Sequence, residues 1–210
     1  MKKLAIIGSS DLAKLVIHQA LESGHFTVLG IYDDFSEIGK SIDGIKVIGT
    51  LNDVLNDFKD NKFQYLFVAV GYSRMEYREK VFNQFKNKIP FANIIHKSCL
   101  VDSSVKLGEG VFLFPGVILD KGVRLGDNVL LNIGVAIAHD TVVNEHCFLG
   151  PRVSIAGFTE VGAKCYIGTN ATIIDNLNIC SSTIIGAGSV TIKDIKEKGV
   201  YVGIPSKKIK

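Results

Sequence analysis

Residues 101–137 read VDSSVKLGEGVFLFPGVILDKGVRLGDNVLLNIGVAI, and counting through them by six decides the fold. Val101, Leu107, Leu113, Leu119, Leu125, Leu131 and Ile137 recur at that interval. The series runs on unbroken through Val143, Leu149, Ile155, Val161, Ile167, Ile173 and Ile179 to Ile185. A helix places side chains on one face at roughly every 3.6 residues and a strand at about every 2. A strict period of six belongs to a parallel β-helix, in which three short strands close one triangular coil. A second series follows four residues behind, from Val105 and Val111 through Thr141, Cys147, Thr159 and Cys165 to Ser189, and most of its members are small or β-branched. One large and one small inward position per hexad describe a prism filled with side chains. At three hexads per coil the run makes about five coils, and no skipped hexad leaves room for a protruding loop. Gly108, Asp120, Gly126, Asn132, Gly150 and Gly162 follow large aliphatics, where a tight corner and positive φ are expected.

Working outward, the first 97 residues change character. Lys3–Ile7 is an apolar run followed by Gly8-Ser9-Ser10, then by helical spacing through Leu12, Leu15, Val16 and Ala20, with Asp11 as N-cap or first-turn acid. Phe26–Tyr32 reads as a second strand ending at Asp33-Asp34, and Ile45–Ile48 as a third. Leu51–Phe58 reads as a helix, Tyr65–Val70 as a buried strand ending at Gly71, and Arg74–Asn87 as a helix. Strands alternating with helices imply a parallel sheet. The fold class is therefore α/β plus all-β, a small Rossmann-like domain over 1–97 followed by a β-helix over 98–198. Residues 199–210 read as a terminal loop and basic tail.

The net charge of +3 is dispersed along the 210 residues, so neither a nucleic-acid footprint nor a polybasic membrane patch is present. The opening apolar run is too short for a signal peptide or a membrane span, and the cytoplasm is the expected compartment. Four cysteines lack metal-ligand spacing; Cys99, Cys147 and Cys165 fall on the small inward series and read as buried apolar side chains. The five histidines do not repeat at one-coil spacing, so no metal site is expected.

Two clusters carry candidate chemistry. Gly8, Ser9 and Ser10 form a strand-to-helix turn whose amides suit a phosphate, although a plain turn reads equally well because a second glycine is missing. Asp33 and Asp34, at the end of the next strand, suit a ribose or a base, and Gly71 would lie at the same edge. The domain is small for a dinucleotide, and the nucleotide half of a nucleotide-sugar fits better. Arg74 or Arg78 would meet phosphate or stay solvated. In the β-helix, Ile137 and Thr141 take the inward slots, so His139 and Asp140 point outward. An imidazole can take a proton near neutral pH, and the adjacent carboxylate can fix its tautomer. Asn132 is expected near the same edge. Gly157 occupies the position one coil beyond His139, where its amide could face a thioester oxygen and its missing side chain leaves room.

These residues together resemble the hexapeptide-repeat sugar acyltransferases of bacteria. The group in question contains the sialic acid O-acetyltransferases and the nucleotide-amino-sugar N-acetyltransferases of bacillosamine and perosamine synthesis. The resemblance rests on Ile7-Gly8-Ser9-Ser10, Tyr32-Asp33-Asp34-Phe35, Ala69-Val70-Gly71, Asn93–Ser98, Asn132 with Ala138-His139-Asp140, and Gly199–Lys207 with its closing Gly203-Ile204-Pro205-Ser206-Lys207. It implies a left-handed β-helix, a homotrimer, and acetyl-CoA as co-substrate lying between neighbouring prisms. It implies His139 as base, oriented by Asp140, with Gly157 at the acetyl carbonyl and Gly203, Pro205 and Lys207 along the coenzyme. It also implies a nucleotide-amino sugar held by the Gly8 loop and Asp33-Asp34. The expected activity is N-acetylation of a nucleotide-linked 4-amino-4,6-dideoxy sugar, with O-acetylation of sialic acid and a non-catalytic scaffold as the alternatives. The chain departs from the group at Asp11-Leu12, where many relatives carry Gly-His, and at Phe148, where relatives often carry a second histidine.

Overall fold

The computed structural model describes all 210 residues, Met1–Lys210. They fall into two compact units, Met1–Ile94 and Ile95–Lys210.

In the first unit, β1 (Lys2–Ile7), β2 (Phe26–Tyr32), β3 (Ser41–Ile42), β4 (Ile45–Gly49) and β5 (Tyr65–Val68) form one sheet in the order β3-β4-β2-β1-β5. Strands β1, β2, β4 and β5 are parallel, while β3, which the residue pattern does not announce, pairs antiparallel with β4 at the edge. Leu4, Ala5, Ile6, Leu66 and Phe67 are fully buried, as strands covered on both faces must be. Helix α1 (Asp11–Glu22) buries Ala13, Val16, Ile17 and Ala20, one stripe of a 3.6-residue repeat. Ser10 is its N-cap residue, and Asp11 sits in the first turn, paired with Lys14 at 2.9 Å. Helix α2 (Val54–Lys59) is shorter than its apolar pattern suggests. Helix α3 (Met75–Phe85) follows a 3-10 turn over Tyr72–Arg74. Arg78 faces inward from α3 at 1% exposure, which removes the solvated alternative considered for it.

Because β2 and β5 flank β1, the chain reverses its direction of growth at β1, and the carboxyl ends of β1, β2 and β5 open a crevice. Ile7 is level with both Tyr32 and Val68, so Gly8, Asp33 and Ala69 emerge side by side. Gly8 takes φ +101°, and a Cβ there would lie 2.9 Å from the Ala69 carbonyl oxygen. Both facts exclude a side chain at the turn.

The second unit is a parallel β-helix with three faces of six, five and eight strands. Apart from the two terminal strands, each strand pairs in parallel with the one 18 residues away, as in Ile118 with Ala136, Arg124 with Val142 and Leu130 with Phe148. This stacking is the parallel β-helix expected from the hexads and agrees with the left-handed β-helix that the resemblance implies. Leu113, Leu131, Leu149, Ile167 and Ile185 stack inward with Val111, Val129, Cys147, Cys165 and their equivalents, all fully buried in one continuous core. Each such aliphatic contributes about 1.5–3 kcal/mol. Cys147 donates to the Gly162 carbonyl at 3.1 Å, and burial pushes its thiol well above the usual range.

Positive φ falls three residues after each large aliphatic from Leu107 to Ile185, at Gly110, Gly116 and Gly122 through Asn128, Gly134 and Asp140 to Ser182 and Gly188. It does not fall on the residue directly after the aliphatic, where the glycines led us to expect it. Those glycines answer a different need. A Cβ on Gly126, Gly162 or Gly168 would come within 2.5 Å of a backbone nitrogen of the next coil. The acids and amides at that site instead cap the corner, as when Asp120 and Asn132 each accept the following backbone N–H at 2.7 Å.

The tail is not a free loop. Val200–Val202 adds a parallel strand beside Ile184–Ile185, and Lys207–Lys208 folds back antiparallel upon it.

Candidate active site

His139 and Asp140 follow the strand Ala136–Ile137 and make the corner between the first face and the second. Ile137 and Thr141 are buried on either side, which turns both polar side chains outward and leaves them half exposed. Nδ1 of His139 lies 3.2 Å from Oδ2 of Asp140. A carboxylate only accepts, so Nδ1 donates in this bond, and in the neutral imidazole Nε2 is then the acceptor nitrogen. Asp140 sits at φ +57°. A Cβ on Gly122, one coil before, would lie 2.6 Å from Oδ1 of Asp140, and one on Gly157, one coil after, would lie 2.8 Å from Cε1 and 2.9 Å from Nε2 of His139. The imidazole therefore lies over Gly157, and the pair occupies space that only these glycines leave open.

Along the first face, beside this corner, runs a shallow groove of about 690 Å³. Leu100, Ile118, Ala136, Ala138, Ser154 and Ala156 line it together with Asp102 and Asp120, and Ala138 and Ala156 directly precede His139 and Gly157 in the chain. Small, mostly apolar side chains suit a flexible apolar arm with few polar groups. Thus the residues present fit the pantetheine portion of a coenzyme A thioester. The closing loop borders the far end of the same face: Val190 donates to Gly203 at 3.1 Å, and Ser206 donates to Val190 at 2.8 Å. Lys207 is exposed there, opposite Val202 in the final hairpin. Pro205 follows Ile204 through a cis bond.

Asn132 does not share the His139 corner. It follows the third-face strand Leu130–Leu131, and Ala136–Ile137 separates the two corners. Nor does Phe148 reach it: that ring is buried and stacks on Tyr166 at 5.8 Å. His146 occupies the corner after His139, buried, with Nδ1 3.0 Å from the Asn128 amide nitrogen. No group of three or more His, Cys, Asp or Glu side chains is placed to hold a metal ion.

In the first unit the Gly8 loop, Asp33-Asp34 and Gly71 meet at the crevice. Ser9 Oγ lies 2.7 Å from Ser36 Oγ, which ties the first loop to the loop after β2. Asp33 accepts from the Phe35 amide at 2.7 Å and Asp34 from the Leu51 amide at 2.8 Å, both through Oδ1. Asp33 thus shapes its own loop, and Asp34 ties that loop to the one after β4. Gly71 opens the turn before α3, with empty space where its side chain would be. The sequence did not single out Phe35 as a site residue, yet its ring is 74% exposed, with the Arg74 guanidinium 5.7 Å from its centroid and the Tyr77 ring at 6.0 Å. An exposed aromatic beside two acids is the signal that could have been used. Burial and the charges of Asp34 and Asp33 push the Tyr77 phenol up.

Comparison with known proteins agrees with this geometry. Residues 3–85 match the PglD N-terminal domain. The whole chain matches a solved structure of a histidine mutant of GDP-perosamine N-acetyl transferase from Caulobacter crescentus in complex with CoA and GDP-perosamine. That match has 30% identity and a TM-score of 0.93, covering 100% of this chain and 98% of the other. The acetyltransferase domain of PglB from Neisseria gonorrhoeae, in complex with acetyl coenzyme A, matches at 27% identity and a TM-score of 0.89 over 99% of each chain. WeeI from Acinetobacter baumannii shares the fold at 21% identity and a TM-score of 0.84, with each chain covered in full.

Proposed function

We propose, for a chain that belongs to the hexapeptide-repeat nucleotide-amino-sugar N-acetyltransferases, that it transfers acetyl from acetyl-CoA to the 4-amino group of a nucleotide-linked 4-amino-4,6-dideoxy sugar. The observation that carries this reading is the His139–Asp140 pair, seated over Gly157 one residue beyond the lining of a largely apolar groove. The neutral amine attacks the acetyl carbonyl carbon. A C–N bond forms, the C–S bond breaks, and His139 Nε2 takes the amine proton and returns it to the departing sulfur. General-base help of this kind is worth about 10²–10⁴-fold. Asp140 holds the tautomer and stabilises the imidazolium. The backbone at Gly157 meets the carbonyl oxygen as it gains charge, while Gly203, Pro205 and Lys207 border the coenzyme.

Gly8, Ser9, Ser10, Asp33, Asp34 and Gly71 are assigned to the nucleotide: the turn amides to phosphate, and the carboxylates to ribose or base. Because Asn132 stands one corner away from His139 within the chain, we assign it to a groove completed by a neighbouring protomer, in a homotrimer. No helix is long and apolar enough to cross a membrane, and we place the reaction in the cytoplasm, with acetyl-CoA and nucleotide sugars.

The test is release of CoA thiol from acetyl-CoA with UDP-, GDP- and dTDP-linked 4-amino-4,6-dideoxy sugars, with free sialic acid alongside. Turnover with one nucleotide-amino sugar, rising with pH as its ammonium loses a proton, is the expected result. Turnover with sialic acid alone would move the acceptor to a hydroxyl.

A further inference from the structure

Fourteen coil corners from Gly110 to Gly188 carry positive φ, and thirteen of them hold glycine or a polar residue: Gly, Asn, Asp, His, Arg, Lys or Ser. The fourteenth is Phe158, at φ +56°. A bulky side chain is disfavoured in this region of backbone space, where glycine, asparagine and aspartate are at home. Burial does not offset the strain, because Phe158 remains 59% exposed within the chain. What the ring does make is an edge contact with His139, the centroids 5.0 Å apart and the planes at 83°. Phe158 is also the residue after Gly157, over which the imidazole lies.

We propose that Phe158 is a positioning residue for His139, an inference that rests on His139 being the base. The imidazole is then held on three sides. Asp140 binds Nδ1, Gly157 is the floor, and Phe158 is the wall. Half a turn of the ring about its Cβ–Cγ bond would exchange Nδ1 for carbon and lose Asp140. The aromatic wall opposes that turn and covers one side of the imidazole. The same wall explains why an exposed, apolar phenylalanine stands at this corner when every other corner of the series carries glycine or a polar residue.

The test compares Phe158→Asn, Phe158→Gly and Phe158→Tyr in the full chain. Asparagine occupies the same backbone state at Asn170 and Asn176, and glycine is freer still. Both variants should therefore melt at or above the wild-type temperature. Their turnover number should fall about 10- to 100-fold, as for a reacting group displaced by about 1 Å, with the KM for acetyl-CoA changed less. Phe158→Tyr should restore turnover to within a few-fold. Independently of any acceptor, the ¹⁵N shifts of the His139 ring should show one tautomer in the wild-type chain and averaged values in Phe158→Asn and Phe158→Gly. Unchanged nitrogen shifts, or full turnover in both, would overturn the proposal. If wild type turned over no acceptor, the activity reading would fall, and the nitrogen shifts alone would decide the role of Phe158.

Discussion

The two units reach a packed core by opposite routes. In the β-helix the coil strands from Leu100 to Thr191 pair with the strand 18 residues away, and each inward side chain stacks on its own equivalent in the next coil. In the α/β unit, β1 must find β2 across a helix on one side and β5 on the other, more than fifty residues on. The lesson is that a short repeat makes each position answer to one neighbour only. A coil position is either filled, empty for the next coil's backbone, or turned outward. The outward positions are left free of the packing rule, and the proposed chemistry draws on them.

The largest expected effect breaks the outward positions. His139→Ala should lower turnover by about 10²–10⁴-fold while the melting temperature stays near wild type, because the side chain lies outside the core. Full retained activity would end the assignment of the base.

The comparison is sharpened by making one substitution at two glycines. Gly157→Ala places its methyl against the imidazole, so turnover should drop by about 10²-fold with stability changed little. Gly168→Ala places the same methyl 2.5 Å from the backbone nitrogen of Ala187. Its expected cost is about 1–3 kcal/mol of stability, read by chemical denaturation. Equal stability losses at the two sites would show that Gly157 is only another coil spacer.

In the other unit, Asp33→Ala should raise the KM for the nucleotide-linked acceptor about tenfold, with a smaller change in turnover number. A fall in turnover number alone would move Asp33 from binding to chemistry. The smallest effect is purely structural. Asp57 receives hydrogen bonds from Lys62 at 2.6 Å and Tyr32 at 2.7 Å, which hold its carboxyl below the usual range. The unfolded chain therefore takes up the proton first as pH falls, so the stabilisation present at neutral pH is lost as pH drops through the folded value. Asp57→Asn should cost about 1 kcal/mol at pH 7 and nearly nothing in acid, measured as paired denaturation curves across pH.

Much of this was legible without coordinates. The hexads located every coil strand from Leu100–Val101 to Ile184–Ile185, and the slots of Ile137 and Thr141 already turned His139 outward. The positions of positive φ were misplaced, since glycine at a corner signals either left-handed backbone or lack of room, and composition does not separate the two. Asn132 was set too close to His139 because seven residues of sequence here span a whole face. Phe158 drew no notice because an aromatic in an apolar-rich repeat reads as packing until its φ, its exposure and its contact with His139 are seen together.

By itself the sequence determined the architecture, since an unbroken period of six admits one way to bury two residues per hexad. It also supplied the residue types of the site. Only the tertiary structure decided which residues come together: Gly122, Asp140, His139, Gly157 and Phe158 at one corner, and Gly8, Asp33, Phe35 and Gly71 at one sheet edge. The reason is that stacking by 18 residues and parallel pairing through long crossovers bring together positions whose separation along the chain carries no mark of their contact.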